Sequence, residues 1–185
     1  MKERGFAGMS TQEIADALDF SKANFFYHLN TKEDLLFEIF VETLNFGASN
    51  FEAILKRPDP PVQKLNAIID FYVHLMMERT AVMLVWFKEK GHLSPEHEEE
   101  VSRLERRITT MLTDFYCNGI AKGAFRPIDP MLARIVIFGM CFGLTRWPQV
   151  RDQLSIATLS SQIQQIARQG LVQDAGTIAG EPTPT

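Results

Sequence analysis

The stretch Ser10-Thr-Gln-Glu-Ile-Ala-Asp-Ala-Leu-Asp-Phe-Ser-Lys-Ala-Asn-Phe-Phe-Tyr-His-Leu-Asn-Thr-Lys-Glu-Asp-Leu-Leu36 decides the fold. Ser10 and Glu13 have the spacing of a capping box, in which hydroxyl and carboxylate each satisfy one free N–H at a helix start. Ile14, Ala15 and Leu18 follow at helical spacing on one apolar face. Asp19-Phe-Ser breaks that helix and Ser21 caps a second, with Phe25 and Leu29 inward, four residues apart. Thr31 and the following Lys-Glu-Asp cap a third, its acids in the first turn where the helix dipole favours them. Two short helices joined by a tight turn form a helix-turn-helix, whose second member is the one that enters a major groove.

Around this stretch the 185-residue chain has ample length for a buried core in one or two domains. Its most apolar run, Met131 to Leu144, is interrupted by Arg134 and is too short to cross a bilayer. The N-terminus lacks the apolar core of a signal peptide. Cys117 and Cys141 read as small core residues of a reduced cytoplasmic protein, without ligand-type spacing to histidine. Charge runs against DNA binding: residues 1–46 hold four cations and eight acids, whereas a DNA reader normally shows a basic footprint.

Beyond the opening stretch the periodicity is helical throughout and no strand pattern occurs. Thr31 to about Lys56 reads as one helix, with Gly47 a point where it could bend. Arg57-Pro-Asp-Pro-Pro ends it, and Asp59 is the expected cap of the next, Val62 to Glu78. Ala81 to Phe87 is apolar all round, the pattern of a helix buried on every side. Ser94-Pro-Glu opens a helix to Lys122, stopped by Gly123. Asp129-Pro130 opens Met131 to Trp147, where Gly139 and Gly143 suit either close helix approach or an ordinary core. Ser155 to Gln169 is the last helix. The fold class is therefore all-α: a helix-turn-helix region (1–46), a helical-bundle sensor and dimerisation domain (47–170) and a disordered tail (171–185).

No catalytic constellation, glycine-rich phosphate loop or metal motif is present, so the chain reads as a non-enzyme without cofactor or metal. The four histidines (28, 74, 92, 97) are scattered, with His74 a core candidate and His92 and His97 expected at the surface. The residues do suggest a ligand pocket. Met83, Trp86, Phe87, Phe115, Phe138 and Phe142 come from three helices expected to face one another and suit an acyl chain or ring system. Arg146 is the cation expected nearest to them, either holding a carboxylate or phosphate or stabilising its own helix end, and Trp147 could stack on a planar group.

The segment Ser-Lys-Ala-Asn-Phe-Phe-Tyr-His-Leu-Asn-Thr-Lys-Glu-Asp-Leu (21–35) resembles the recognition-helix signature of TetR-family transcriptional regulators. That pattern runs Ser-x-Gly/Ala-Thr/Ser-hydrophobic-Tyr-Tyr-His-Phe-x-Ser/Thr-Lys-Glu-x-Leu. The opening Glu-Arg-Gly-Phe (3–6) resembles the end of the family's first helix, of which little precedes it here. The resemblance implies that Thr11 and Gln12 approach phosphate or a base edge. It places Ser21, Lys22, Ala23 and Asn24 at the groove-facing start of the recognition helix. Tyr27 and His28 would contact the DNA backbone, and Lys32 would anchor a phosphate. Phe26 stands where a tyrosine is usual and cannot donate a hydrogen bond, so either a phosphate contact is lost or the ring touches a thymine methyl. Asp19 replaces the usual turn glycine.

The remainder loosely resembles members that sense acyl-CoA thioesters. The implied protein is a homodimeric repressor on a palindromic operator in double-stranded DNA, released by a small apolar or acyl-CoA-type effector, with no membrane partner. The alternative is a helical dimerisation or ligand-binding protein that has lost DNA binding with its first helix.

Overall fold

The computed structural model describes residues 31–147, 149 and 153–173, and all of its named elements are helical. They are α1 (Lys32–Lys56), α2 (Pro61–Glu78), α3 (Thr80–Glu89), α4 (Pro95–Ala121), α5 (Pro130–Gly143) and α6 (Ile156–Leu171), with 3-10 turns at Lys90–His92 and Leu144–Arg146. No helix among the described residues is long and apolar enough to cross a membrane.

Capping sets most of the helix starts. The Thr31 hydroxyl accepts from the Asp34 N–H at 3.0 Å, and the Asp34 carboxylate accepts from the Thr31 N–H at 3.0 Å, a complete capping box. Ser94, Asp129 and Ser155 cap α4, α5 and α6. Asp59 does not cap α2: Pro60 is the N-cap, with no side-chain hydrogen bond, and Pro61 opens the helix. A proline at N1 forfeits no intrahelical hydrogen bond, because that N–H would have no partner in any case. α1 continues unbroken through Gly47, so the expected division between residues 46 and 47 falls inside one helix.

The bundle is built on α1 lying along α4 and α2 along α6, with α5 packed against both α2 and α4. Leu35, Ile39, Phe40 and Phe51 of α1 meet Leu65, Ile69, Val73 and Met76 of α2 in the core, all nearly inaccessible to solvent. Each such side chain contributes about 1.5–3 kcal/mol by leaving water. α2 and α6 also share a polar seam, in which the Ser160 hydroxyl donates to Asp70 at 2.7 Å and Arg168 Nε donates to the Asn66 side chain at 3.1 Å. α3 departs from its all-apolar pattern: Val82, Met83 and Val85 are buried, but Phe87 is exposed.

The α4–α5 turn is held by close packing. Gly123 takes φ 68°, a conformation that side-chain-bearing residues rarely adopt. A Cβ at Gly119 would come within 2.1 Å of the Phe125 ring, so only glycine admits that ring. Phe125 stacks on Tyr116, with centroids 4.8 Å apart. The chain after α6 returns to this turn: Arg126 N–H donates to Leu171 O at 2.9 Å, Gln173 N–H donates to Ala124 O at 3.1 Å, and Phe125 and Val172 form an antiparallel bridge. Leu171 to Gln173 thus belong to the bundle, correcting the tail boundary at 171, while 174–185 lie outside the described residues. Cys141 is buried and its thiol is pushed up to about 12 by desolvation, whereas Cys117 is exposed, correcting its assignment to the core.

Candidate ligand cavity

Between α1, α2, α3, α4 and α5 lies a cavity of about 450 Å³. Thr43, Leu44, Gly47 and Phe51 of α1 form one wall, and Tyr72 and Leu75 of α2 form the next. Met83, Trp86 and Phe87 come from α3, and Ile108, Thr109 and Leu112 from α4. Gly47 matters by what it lacks: a Cβ there would already be in van der Waals contact with Ile108 Cδ1 at 3.6 Å, and anything longer would enter the space. Arg134 and Phe138 of α5 complete the lining, together with Lys90 and Glu105.

The three charged residues of the lining differ in their pairing. Lys90 and Glu105 form an ion pair, and the Lys90 ammonium also lies 5.7 Å from the Trp86 ring centroid. Arg134 is half-buried, and its Nε is enclosed with no hydrogen-bond partner among the described residues. Tyr72 lies close enough for the Arg134 charge to act on it, but burial dominates and pushes its phenol up. It therefore stays protonated and able to donate. Tyr72, Leu112 and Arg134 also border a smaller void of about 20 Å³, which Phe115 and Tyr116 help to enclose.

Of the residues expected around a ligand, Met83, Trp86, Phe87 and Phe138 are brought together here. Phe115 borders the small void instead and meets Phe125 edge-on. Phe142 backs the cavity, its ring 4.1 Å from that of Phe87 and 5.9 Å from that of Phe138. Arg146 and Trp147 do not line it. Both are exposed beyond the end of α5, Trp147 at 56%. The cation that α5 supplies to the cavity is Arg134, three turns earlier. It shares a face with Phe138 at four-residue spacing, and that spacing was the available signal. Tyr72, Lys90 and Glu105 join the lining with no local pattern in the sequence to mark them.

For the recognition segment, Thr11, Gln12, Ser21, Lys22, Ala23, Asn24, Phe26, Tyr27 and His28 lie outside the described residues. Lys32 is the first residue of α1. Beside it, Glu33 ties α1 to the start of α4. Its carboxylate accepts from the Ser94 N–H at 2.7 Å and lies 2.9 Å from His97 Nδ1. The Ser94 backbone bond, then the Ser94 and His97 side chains, hold this carboxyl below its ordinary value. His97 also stacks on Phe37 at 3.9 Å, so it is a packed junction residue rather than the surface histidine expected. His74 is half-exposed rather than core, with Nδ1 2.9 Å from Asp70 O.

On the side of α5 away from the cavity, Met131, Leu132, Ile135 and Val136 are exposed, as is Ile166 of α6. Gly139 continues this stripe, with open space where a Cβ would stand.

Comparison with known proteins places this architecture. The chain is 25% identical over 178 residues to the HTH-type transcriptional repressor KstR2 of Mycolicibacterium smegmatis, covering 94% of this chain and 86% of that protein. The crystal structure of a bacterial regulatory protein in the tetR family from Rhodococcus RHA1 matches with a TM-score of 0.73 at 26% identity, over 89% of this chain and 87% of that one. AibR, solved in complex with isovaleryl coenzyme A and operator DNA, shares the fold at 22% identity with a TM-score of 0.72, over 89% of each chain. Residues 58–171 match the Tetracyclin repressor-like C-terminal domain. With residues 1–39 matching the tetR family of bacterial regulatory proteins as well, the chain belongs to the TetR family.

Proposed function

We propose that this chain is a homodimeric repressor that binds a near-palindromic operator and is released when a small apolar effector enters the cavity between α1 and α5. The observation that carries the reading is the cavity itself. Its walls are mostly apolar, with few polar groups, and about 450 Å³ falls within the range of small-ligand sites. An acyl-CoA-type effector is the class favoured by the likeness to AibR, whose structure holds isovaleryl coenzyme A. The repressor sign follows KstR2, a named repressor. α1 runs from the capping box beside the recognition segment to the cavity wall at Thr43 and Gly47, so a ligand pressing on that wall acts on the helix that carries the reader.

In this reading Lys22 and Asn24 choose sequence, Tyr27, His28 and Lys32 grip phosphate, and Thr11 and Gln12 approach phosphate or a base edge. Selection of an operator from random DNA, followed by titration at several salt concentrations, tests it. Lys32→Ala should weaken binding on every sequence and lower the salt slope by about one. Unchanged affinity and slope would remove Lys32 from the contact set, and failure to select any sequence would overturn the operator reading.

A further inference from the structure

The geometry points to an apolar carboxylic acid as the ligand of this cavity, its anion held by the Arg134 guanidinium with the Tyr72 hydroxyl as a neutral donor beside it. This rests on the cavity being the effector site, and takes the free acid rather than its coenzyme A thioester as what that site selects.

Three observations converge. The walls supplied by Leu44, Phe51, Leu75, Ile108 and Phe138 are apolar and suit a hydrocarbon body. Lys90 and Glu105 cancel one another as an ion pair, which leaves Arg134 as the charge of the lining without an ion-pair partner among the described residues. Arg134 is half-buried among these walls, and a guanidinium drawn partly out of water gains from an anionic acceptor. A carboxylate matches the planar donor fork of its guanidinium. An ester or thioester of the same acid offers only a neutral carbonyl there.

The test uses the full chain and three matched probes: decanoate, methyl decanoate and decanoyl-CoA. The chain has two tryptophans, Trp86 in the cavity lining and Trp147 outside it, so Trp147→Phe leaves a fluorescence signal from the cavity alone. In this background decanoate should bind roughly tenfold or more tighter than its methyl ester, the scale of a charge-assisted hydrogen bond. Arg134→Met should abolish that preference while keeping ester binding, which also verifies an intact pocket. Arg134→Lys should restore part of the preference, and Tyr72→Phe should reduce it by a smaller factor. Equal binding of acid and ester to the wild-type chain would overturn the carboxylate inference and leave the effector reading standing. So would an Arg134 dependence confined to decanoyl-CoA, which would place a coenzyme phosphate at the guanidinium. If no probe quenched Trp86 while operator binding persisted, the ligand class proposed here would be wrong and the DNA-binding reading would survive.

Discussion

α5 presents two apolar faces that the chain uses differently. Ala133, Ile137 and Cys141, each four residues from the next, are buried against the bundle, with Arg134 and Phe138 beside them at the cavity. Met131, Leu132, Ile135 and Val136 point outward and remain exposed, although nothing in their chemistry separates them from core residues. The one cation of the helix lies on the inner side. Apolarity alone thus does not say which face is the core. The inner face is closed by the chain's own helices, while the outer face presents the kind of contiguous apolar stripe that monomers rarely leave uncovered. In a symmetric dimer two such stripes would cover each other.

The largest effect should come from a matched pair two residues apart. Ile137→Ala removes a buried side chain and should cost about 2–5 kcal/mol of folding stability. Its drop in melting temperature should be the same at every protein concentration. Ile135→Ala deletes the same atoms from the outer face and should change the stability of the isolated fold by about 0.5 kcal/mol or less. Its effect should instead shrink on dilution, as the chains separate, because only the association step is touched. Equal, concentration-independent losses for both variants would erase the distinction between the faces.

Gly139→Leu sharpens the outer half of the comparison. A Cβ at Gly139 meets nothing within 4 Å, so leucine costs the single chain little and its cost falls on a partner pressed against that face. Overpacking of about 1–3 kcal/mol at that contact should weaken self-association roughly tenfold to hundredfold in sedimentation. Gly143→Leu is a less clean probe, since its Cβ would already crowd the Trp147 ring at 3.3 Å. A wild-type chain that sediments as a monomer at micromolar concentration would remove the dimer altogether.

How far the sequence could be read follows from the same helix. Caps and periodicity located α1 to α6, because Thr31, Ser94, Asp129 and Ser155 act on the backbone within three residues. Met83, Trp86, Phe87 and Phe138 could be picked out as large side chains on helices forced to face one another. Arg146 was the wrong cation for a geometric reason. Residues 134, 138, 142 and 146 follow one another at four-residue spacing, but each step rotates the side chain by about 40° around the helix. Arg134 and Phe138 therefore reach the cavity, Phe142 only backs it, and Arg146, already in a 3-10 turn, has left it. Lys90 and Glu105 were illegible because one lies in a turn and the other in a charged stretch, and only the tertiary packing brings them together. The His97 contact with Glu33 spans 64 positions, which no local pattern signals.

That junction yields the smallest predicted effect and a control on the other two, since it involves neither face of α5. The Glu33 carboxyl is held below its ordinary value chiefly by the Ser94 N–H, then by the Ser94 and His97 side chains. A group with a depressed folded value stabilises the fold fully above its unfolded value, about 4.3 for a glutamate, and loses that contribution as pH falls through the folded value. Glu33→Gln keeps an oxygen to accept from Ser94 but removes the titrating charge. Wild type should therefore melt slightly above the variant at pH 7, and the gap should close as pH drops below about 4. Because the site is exposed, added salt should narrow the gap at pH 7 as well. The effect should add independently to that of Gly139→Leu, as expected for sites without shared partners. A gap that stays constant from pH 7 to pH 3 would show that the carboxylate charge does not fasten α1 to α4, leaving the His97–Phe37 stack as the contact that does.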